Sequence, residues 1–305
     1  MNRALLLPGQ GAQFPGMGKA FAEAFDVAAA TFAEADAALD WPLSKACWES
    51  GDEVHRTDVA QPGILTTSVA IVRVLESLGL DRARAPLAAG LSLGEYTALW
   101  CAGSLSFGDA VRLVRLRGRA MQEASEAVPS SMTSLVGAEL AQAEALAAVG
   151  RAHGICSVAN LNAPGQIVLS GELAALDAVE AAAKEHGVRR AIRLTVAGGF
   201  HSECMRSAAK RLAEALKDVR IEAPRIPFVT NVTGKPVSAP SEIRAHLSDQ
   251  VCAPVRWEDS MRWALAQGIK SFVEPGPGNV LGGIMRKIDK DADVRSVQEP
   301  ADVRA

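Results

Sequence analysis

The chain has 305 residues, of which 49% are hydrophobic and 22% charged, and its net charge is −3. That composition describes a globular chain with a full core, built as one large domain or as a domain carrying an insert. It excludes a basic field that would recruit nucleic acid or an anionic membrane, and five scattered cysteines without a Cys-x-x-Cys pair argue against a zinc site.

Cysteine usage of this kind suits a reducing compartment. The apolar stretch at the start is too short for a signal peptide, and no run approaches the roughly 20 residues that span a bilayer. The expectation is a cytoplasmic protein with no membrane or nucleic-acid partner.

Residues 4–7 are a continuous apolar run stopped by Pro8-Gly9, the pattern of a buried parallel strand. The loop 9–18 holds four glycines, which let backbone approach a ligand closely. It lacks the Lys-Ser/Thr of a P-loop and the spacing of a dinucleotide fingerprint. Helical patterns follow over 19–39, and Gln61-Pro62 opens a long helix through Leu78.

A short apolar run, 87–89, then leads into Gly90-Leu91-Ser92-Leu93-Gly94, and a helical pattern continues to about Cys101. Strand, Gly-x-Ser-x-Gly and helix make the layout of a nucleophile elbow. Gly90 and Gly94 leave room where strand and helix pack against the turn. Ser92 then projects its hydroxyl above the sheet edge, and the Leu93 amide sits at a helix N-terminus, where free N–H groups can hold an oxyanion.

Ser106 caps the next helix, about 107–124. At 100° per residue, Ala110, Leu113, Val114, Arg117, Met121 and Ala124 share a face, and Arg112, Arg115 and Arg119 share the opposite, solvated one. Arg117 therefore lies in the apolar stripe. Two accounts fit it: the side chain snorkels or pairs with an internal carboxylate, or its fork awaits an anionic ligand.

Residues 132–196 change pattern. Strand 133–136, helix 139–149, strand 155–159, turn 162–165, strand 167–170, helix 173–186 and strand 190–196 give the βαββαβ order of a ferredoxin-like unit. The fold expected is α/β: a large α/β-hydrolase-like subdomain with a parallel sheet, residues 1–128 and 197–305, and an inserted ferredoxin-like subdomain, residues 129–196. Beyond the insert come a helix over 203–216, a strand over 228–231, helices over 242–251 and 257–267, and a strand over 271–274. A last helix, 280–288, and strand, 294–297, precede a polar tail read as frayed.

A serine nucleophile needs a base within hydrogen-bond reach. Of five histidines, His55, His153, His186 and His246 sit in charged, loop, helix-end and polar-helix settings. His201 follows Gly198-Gly199-Phe200 where the chain re-enters the large subdomain, and it is the strongest candidate. No acid stands in a recognisable triad setting, which points away from an ordinary esterase. A carbonyl could orient the imidazole instead.

Several separated motifs together resemble the malonyl-CoA:acyl carrier protein transacylases of fatty-acid synthesis and the acyltransferase domains of polyketide synthases. They are Pro8-Gly9-Gln10-Gly11-Ala12-Gln13, Ser92-Leu93-Gly94-Glu95-Tyr96, Arg115 to Met121, Asn160 to Gln166, Phe200-His201-Ser202, Asn231-Val232, Gln250 with Pro254 to Trp257, and Glu274 to Gly278.

The resemblance implies that Ser92 accepts the acyl group, His201 is general base and then acid, and the Gln250 backbone carbonyl orients His201. It implies an oxyanion hole from the amides of Gln10 and Leu93, a clamp by Arg117 on a malonyl carboxylate, malonyl selection by Phe200, and a cleft-lining Asn162. The partners implied are malonyl-CoA and the phosphopantetheine thiol of acyl carrier protein, both substrates; no metal or cofactor is expected, and the chain is expected to be a monomer. Two positions depart from the family's usual pattern: Leu91 stands where histidine is common, and Gly199 where alanine is. The first alters cleft polarity, and the second is expected to loosen the His201 loop or widen the pocket. Competing readings are transfer of another carboxylated acyl group in a polyketide pathway, hydrolysis of acyl thioesters, and a non-catalytic module that holds carrier protein.

Overall fold

The computed structural model describes residues 3–304. Residues 1–2 and 305, the outermost ends of the expected large subdomain, lie outside the described residues. Strand β1 (Ala4–Leu7) is the central strand of a parallel sheet, and its apolar run is continuous because both faces are covered. Leu5 and Leu7 join one buried cluster, and Ala4 and Leu6 join another across the sheet.

The chain then packs α1 (Lys19–Ala24), α2 (Asp26–Leu39) and α3 (Leu43–Glu49) ahead of α4 (Thr57–Ser77). The 19–39 pattern is two helices, because Phe25 is extended between them. Helix α4 begins a turn before the expected Gln61-Pro62 start. Pro62 has no N–H for the Asp58 carbonyl, and the Arg115 guanidinium donates to that carbonyl instead. Arg115 also lies 3.8 Å over the Trp41 ring, so it is a half-buried packing residue and not part of a solvated face.

Strand β2 (Ala88–Gly90) pairs with β1 so that Leu7 stands opposite Gly90. The loops after both strands therefore emerge at the same sheet edge. Helices α5 (Gly94–Cys101) and α6 (Phe107–Ala127) follow, with the Ser106 hydroxyl accepting from the Asp109 amide as expected of an N-cap.

Next come β3 (Ser130–Ala138), α7 (Leu140–Arg151), β4 (Cys156–Ala163), β5 (Gly165–Glu172), α8 (Leu173–Ala182) and β6 (Arg190–Arg193). They form an antiparallel sheet in the order β4-β5-β3-β6. The element order matches the sequence reading, but the strands are longer, and Asn162 lies in β4 and not in the turn. Helix α8 stops at Ala182, short of the expected 186. Helices α7 and α8 cover one face of this sheet with Leu146, Leu176 and Val179. Met132, Ala159 and Val168 belong instead to the main core. Register shifts at Val158/Asn160 and Leu161/Ala163 mark bulges in β4. Leu161 donates to the Val255 carbonyl and Val255 to that of Ala159, which stitches β4 to the larger body.

The return segment carries α9 (Arg206–Lys217), β7 (Phe228–Val229), α10 (Pro240–Asp249), α11 (Trp257–Ala266), β8 (Ser271–Pro275), α12 (Val280–Ile288) and β9 (Asp293–Val297). The parallel sheet order is β7-β2-β1-β8-β9. Strand β7 ends two residues before the expected 231, because Asn231 turns away to serve the elbow. Among the described residues the tail is structured, not frayed: Pro300–Arg304 form a 3-10 turn, and the Asp302 carboxylate accepts from the Gln298 and Glu299 amides at 2.9 Å. Among the described residues no helix is long and apolar enough to cross a membrane.

Candidate active site

The elbow is built by close approach. A Cβ on Gly90 would lie 2.0 Å from the Gly94 backbone, and one on Gly94 would lie 2.1 Å from the Leu7 carbonyl oxygen. Ser92 takes φ 53°, a left-handed conformation that a non-glycine residue holds only under constraint. The constraint is Asn231. Its side-chain oxygen accepts from the Ser92 amide at 2.6 Å, and its Nδ2 donates to the Gly90 carbonyl at 2.7 Å.

His201, at φ 58° and 4% exposed, reaches Ser92 from the segment after β6. Its Nε2 stands 2.8 Å from Ser92 Oγ, and its Nδ1 stands 2.8 Å from the Gln250 carbonyl. A carbonyl only accepts, so Nδ1 carries the proton and Nε2 presents its lone pair to the hydroxyl. Burial, and then the Arg117 charge, lower the imidazole to about 4, so it is neutral at neutral pH and fit to act as base.

Arg117 is 1% exposed. Gly118 lets α6 cross tightly over the start of α4, since a Cβ there would lie 2.7 Å from the Thr57 carbonyl oxygen. That crossing delivers the guanidinium to Gln61 Oε1 (2.7 Å), Gln250 Oε1 (3.0 Å) and Ser92 Oγ (3.2 Å). Tyr96 lies beneath it, ring centroid 5.7 Å away. Among the described residues its hydrogen-bond partners are all neutral, and its Nε has no partner. The geometry favours the second account of this arginine, a fork awaiting an anion.

A cavity of about 840 Å³ lies between the open face of the antiparallel sheet and the edge of the parallel one. Ser92, His201, Arg117, Gln10, Phe200 and Asn162 all line it. Leu93 follows Ser92 with its side chain buried in the core. Among the described residues, neither the Gln10 nor the Leu93 amide donates within the chain. The bulges in β4 bring Asn160 as well as Asn162 to the cavity, and Asn162 Oδ1 has no partner among the described residues. Leu91 lines it too, an apolar surface where the resemblance implied histidine.

Gly199 does not widen this cavity. A Cβ there would meet Ser130, Cys204 and Ser170 at 3.1–3.2 Å, inside packed structure. Nor is its loop slack: the Gly199 amide donates to Ser130 Oγ at 2.9 Å, and its carbonyl accepts from Ser202 Oγ at 2.6 Å.

Three residues had no assigned role from sequence. Gln61 reads as a helix start, and nothing in its neighbourhood marks it as a ligand to Arg117. Glu95 stood in the Ser92-to-Tyr96 motif without a role, yet it is 1% exposed, raised by burial to about 7, and hydrogen-bonded to Gln250 Nε2. Asn231 stood in the Asn231-Val232 motif without a role.

The acyl transferase domain model matches residues 5–298. The chain belongs to the acyl transferase family. It is 40% identical over 302 residues to the malonyl CoA-acyl carrier protein transacylase of Bacillus subtilis (strain 168), covering 97% of this chain and 93% of that one. It superposes on the acyl-carrier-protein-S-malonyltransferase of Bartonella henselae with a TM-score of 0.95 at 39% identity, covering 100% of this chain and 98% of that one. A type II PKS acyl-carrier protein in complex with its malonyl-transacylase matches at 0.93 and 36%, covering 100% and 98%. The fold shared by these acyl transferases is mixed α/β, with a parallel and an antiparallel sheet.

Proposed function

We propose that the chain is a malonyl-CoA:acyl carrier protein transacylase, moving malonyl from CoA to the carrier's phosphopantetheine thiol through an ester on Ser92. The observation that carries this reading is Arg117, a buried guanidinium 3.2 Å from the nucleophile with neutral partners alone. A buried cation left unpaired is destabilised by several kcal/mol, so a carboxylated acyl group is preferred there over acetyl. The names of the relatives support the same substrate.

Ser92 attacks the thioester carbon while His201 Nε2 takes its proton. The Gln10 and Leu93 amides stabilise the tetrahedral oxyanion, worth on the order of 3 kcal/mol per donor. His201 then protonates the departing CoA sulfur, and malonyl rests on Ser92. The carrier thiol enters, gives its proton to His201 and takes the acyl group by the reverse steps. Phe200 bounds the space beside the acyl α-carbon, and Asn162 lines the entry from β4.

The reading includes an α/β-hydrolase-like large subdomain, residues 1–128 and 197–305, and a ferredoxin-like insert, residues 129–196; the presence of one parallel and one antiparallel sheet supports it. The remaining parts of the reading are a cytoplasmic monomer, no resident metal or cofactor, and no nucleic-acid or membrane partner. Among the described residues no cluster of three or more metal-ligating side chains occurs.

Incubation with malonyl-CoA followed by intact-mass measurement tests the proposal. A malonyl adduct is expected on the wild type, lost in Ser92→Ala, and discharged by phosphopantetheinylated carrier protein. Rapid release of free malonate with no transfer would identify a hydrolase instead.

A further inference from the structure

Arg117 and Glu95 are both buried, and they do not touch. Gln250 stands between them: its Oε1 accepts from Arg117 at 3.0 Å, and its Nε2 donates to the Glu95 carboxylate and to the Ser92 carbonyl. Both acceptors on the Nε2 side fix which way the amide points. The Asn231 amide donates to the other Glu95 oxygen at 3.3 Å.

A buried guanidinium needs an opposite charge in its surroundings. A carboxylate in direct contact would fill the fork that faces the nucleophile. An amide spacer balances the charge and leaves that fork open. The groups around Glu95 are Arg117 from α6, Tyr96 from its own helix, Thr230 and Asn231 beyond β7, and Gln250 beyond α10. Arg117 is the cation among them, and it also lowers His201.

When a substrate carboxylate reaches Arg117, two carboxylates share one guanidinium, and Arg117 and Glu95 are each 1% exposed. Like charges at close quarters raise each other's pKa, and a low dielectric enlarges the effect. The substrate carboxylate in direct contact keeps its charge; the one behind the amide yields.

We propose that Glu95 is the resident counter-ion of Arg117 and exchanges its charge with the substrate: ionised while the cavity is empty, it takes a proton from solvent when a carboxylated acyl group sits on Ser92, and returns it when the group leaves. This rests on the reading of Arg117 as the carboxylate clamp. Acyl transfer itself is proton-neutral, because the Ser92 proton passes through His201 to the CoA sulfur. Net uptake therefore reports on Glu95. Burial holds that carboxyl at about 7 in the empty site, so a further rise carries it across neutral pH.

The test mixes enzyme with malonyl-CoA or acetyl-CoA in weakly buffered solution with a pH indicator at pH 7.5, and counts esters by intact mass. The expected result is more than about half a proton taken up per malonyl ester and none per acetyl ester. Uptake per malonyl ester falls towards zero by about pH 5.5, where Glu95 is already protonated in the empty enzyme. Glu95→Gln forms the malonyl ester without uptake. A malonyl ester formed without uptake in the wild type, equal uptake with acetyl-CoA, or uptake that persists in Glu95→Gln overturns the proposal. If that variant does not fold, the wild-type comparison and its pH series still decide. Failure to form any malonyl ester strikes down the functional reading itself, and this inference with it; an ester without a proton strikes down this inference alone.

Discussion

Arg117 and Gln250 are joined side chain to side chain at 3.0 Å, while the Gln250 main-chain carbonyl accepts a hydrogen bond from the Nδ1–H of His201. One residue thus orients the base with its backbone and the anion-binding arginine with its amide. The resemblance accounts for the first task alone, from which replacing the side chain should matter little. The structure requires more. Gln250→Ala strips Arg117, Glu95 and the Ser92 carbonyl of partners at once. A drop of roughly 10- to 100-fold in kcat/KM for malonyl-CoA is expected, or about 1.4–2.8 kcal/mol. Steady-state kinetics with both acyl-CoAs checks it.

Arg117→Ala should separate the two acyl groups. Acylation by malonyl-CoA is expected to fall by about 100-fold or more, near 3 kcal/mol, with a far smaller change for acetyl-CoA. Equal losses would reject the carboxylate clamp.

Asn231→Ala removes the acceptor for the Ser92 amide and the donor to the Gly90 carbonyl, both buried. Unpaired buried groups of this kind destabilise by roughly 2–3 kcal/mol. The turn that holds Ser92 at φ 53° also loses its tie. Chemical denaturation should show the stability loss, and acylation should fall even in the fraction that remains folded.

In Glu95→Gln, which lacks the carboxyl raised to about 7, the pH dependence of acetylation isolates His201. Its folded pKa is lowered to about 4, so the neutral, proton-accepting imidazole persists as pH falls to about 5. The single-turnover rate should stay nearly level from pH 8 to 5 and drop below that. A break near 6.5, the ordinary histidine value, would mean that His201 is hydrated in the working enzyme.

Gly199→Ala tests whether that position borders the cavity. The added methyl meets Ser130, Cys204 and Ser170 at 3.1–3.2 Å, a tight fit against side chains. A stability loss of about 1 kcal/mol is expected, with the preference between malonyl-CoA and methylmalonyl-CoA unchanged. A shift in that preference would return Gly199 to the pocket wall.

The order of elements, the elbow at Ser92, the cap at Ser106 and the buried face carrying Arg117 were legible in the sequence because each is local. Strand period, glycine spacing and helix period act within a few residues of one another. What Arg117 does there was left open by the helix pattern and implied only by the resemblance, and no role was legible for Gln61, Glu95 or Asn231. Each acts across gaps such as 56 residues from Gln61 to Arg117 and 139 from Ser92 to Asn231. Arg115 misled for the same reason: its partner, the Asp58 carbonyl, is free only because Pro62 lies four residues on in another helix.

By itself, then, the amino-acid string determined a mixed α/β chain with a serine poised on a tight turn, and its separated motifs pointed to a family. Tertiary structure supplied the distance behind the implied Gln250 carbonyl, 2.8 Å from His201 Nδ1, and alone decided that Arg117 is buried against neutral partners beside Ser92. It also decided that Glu95 stands one amide behind Arg117. Those are matters of charge among buried side chains, and they arise only when segments distant in the chain close around the same cavity.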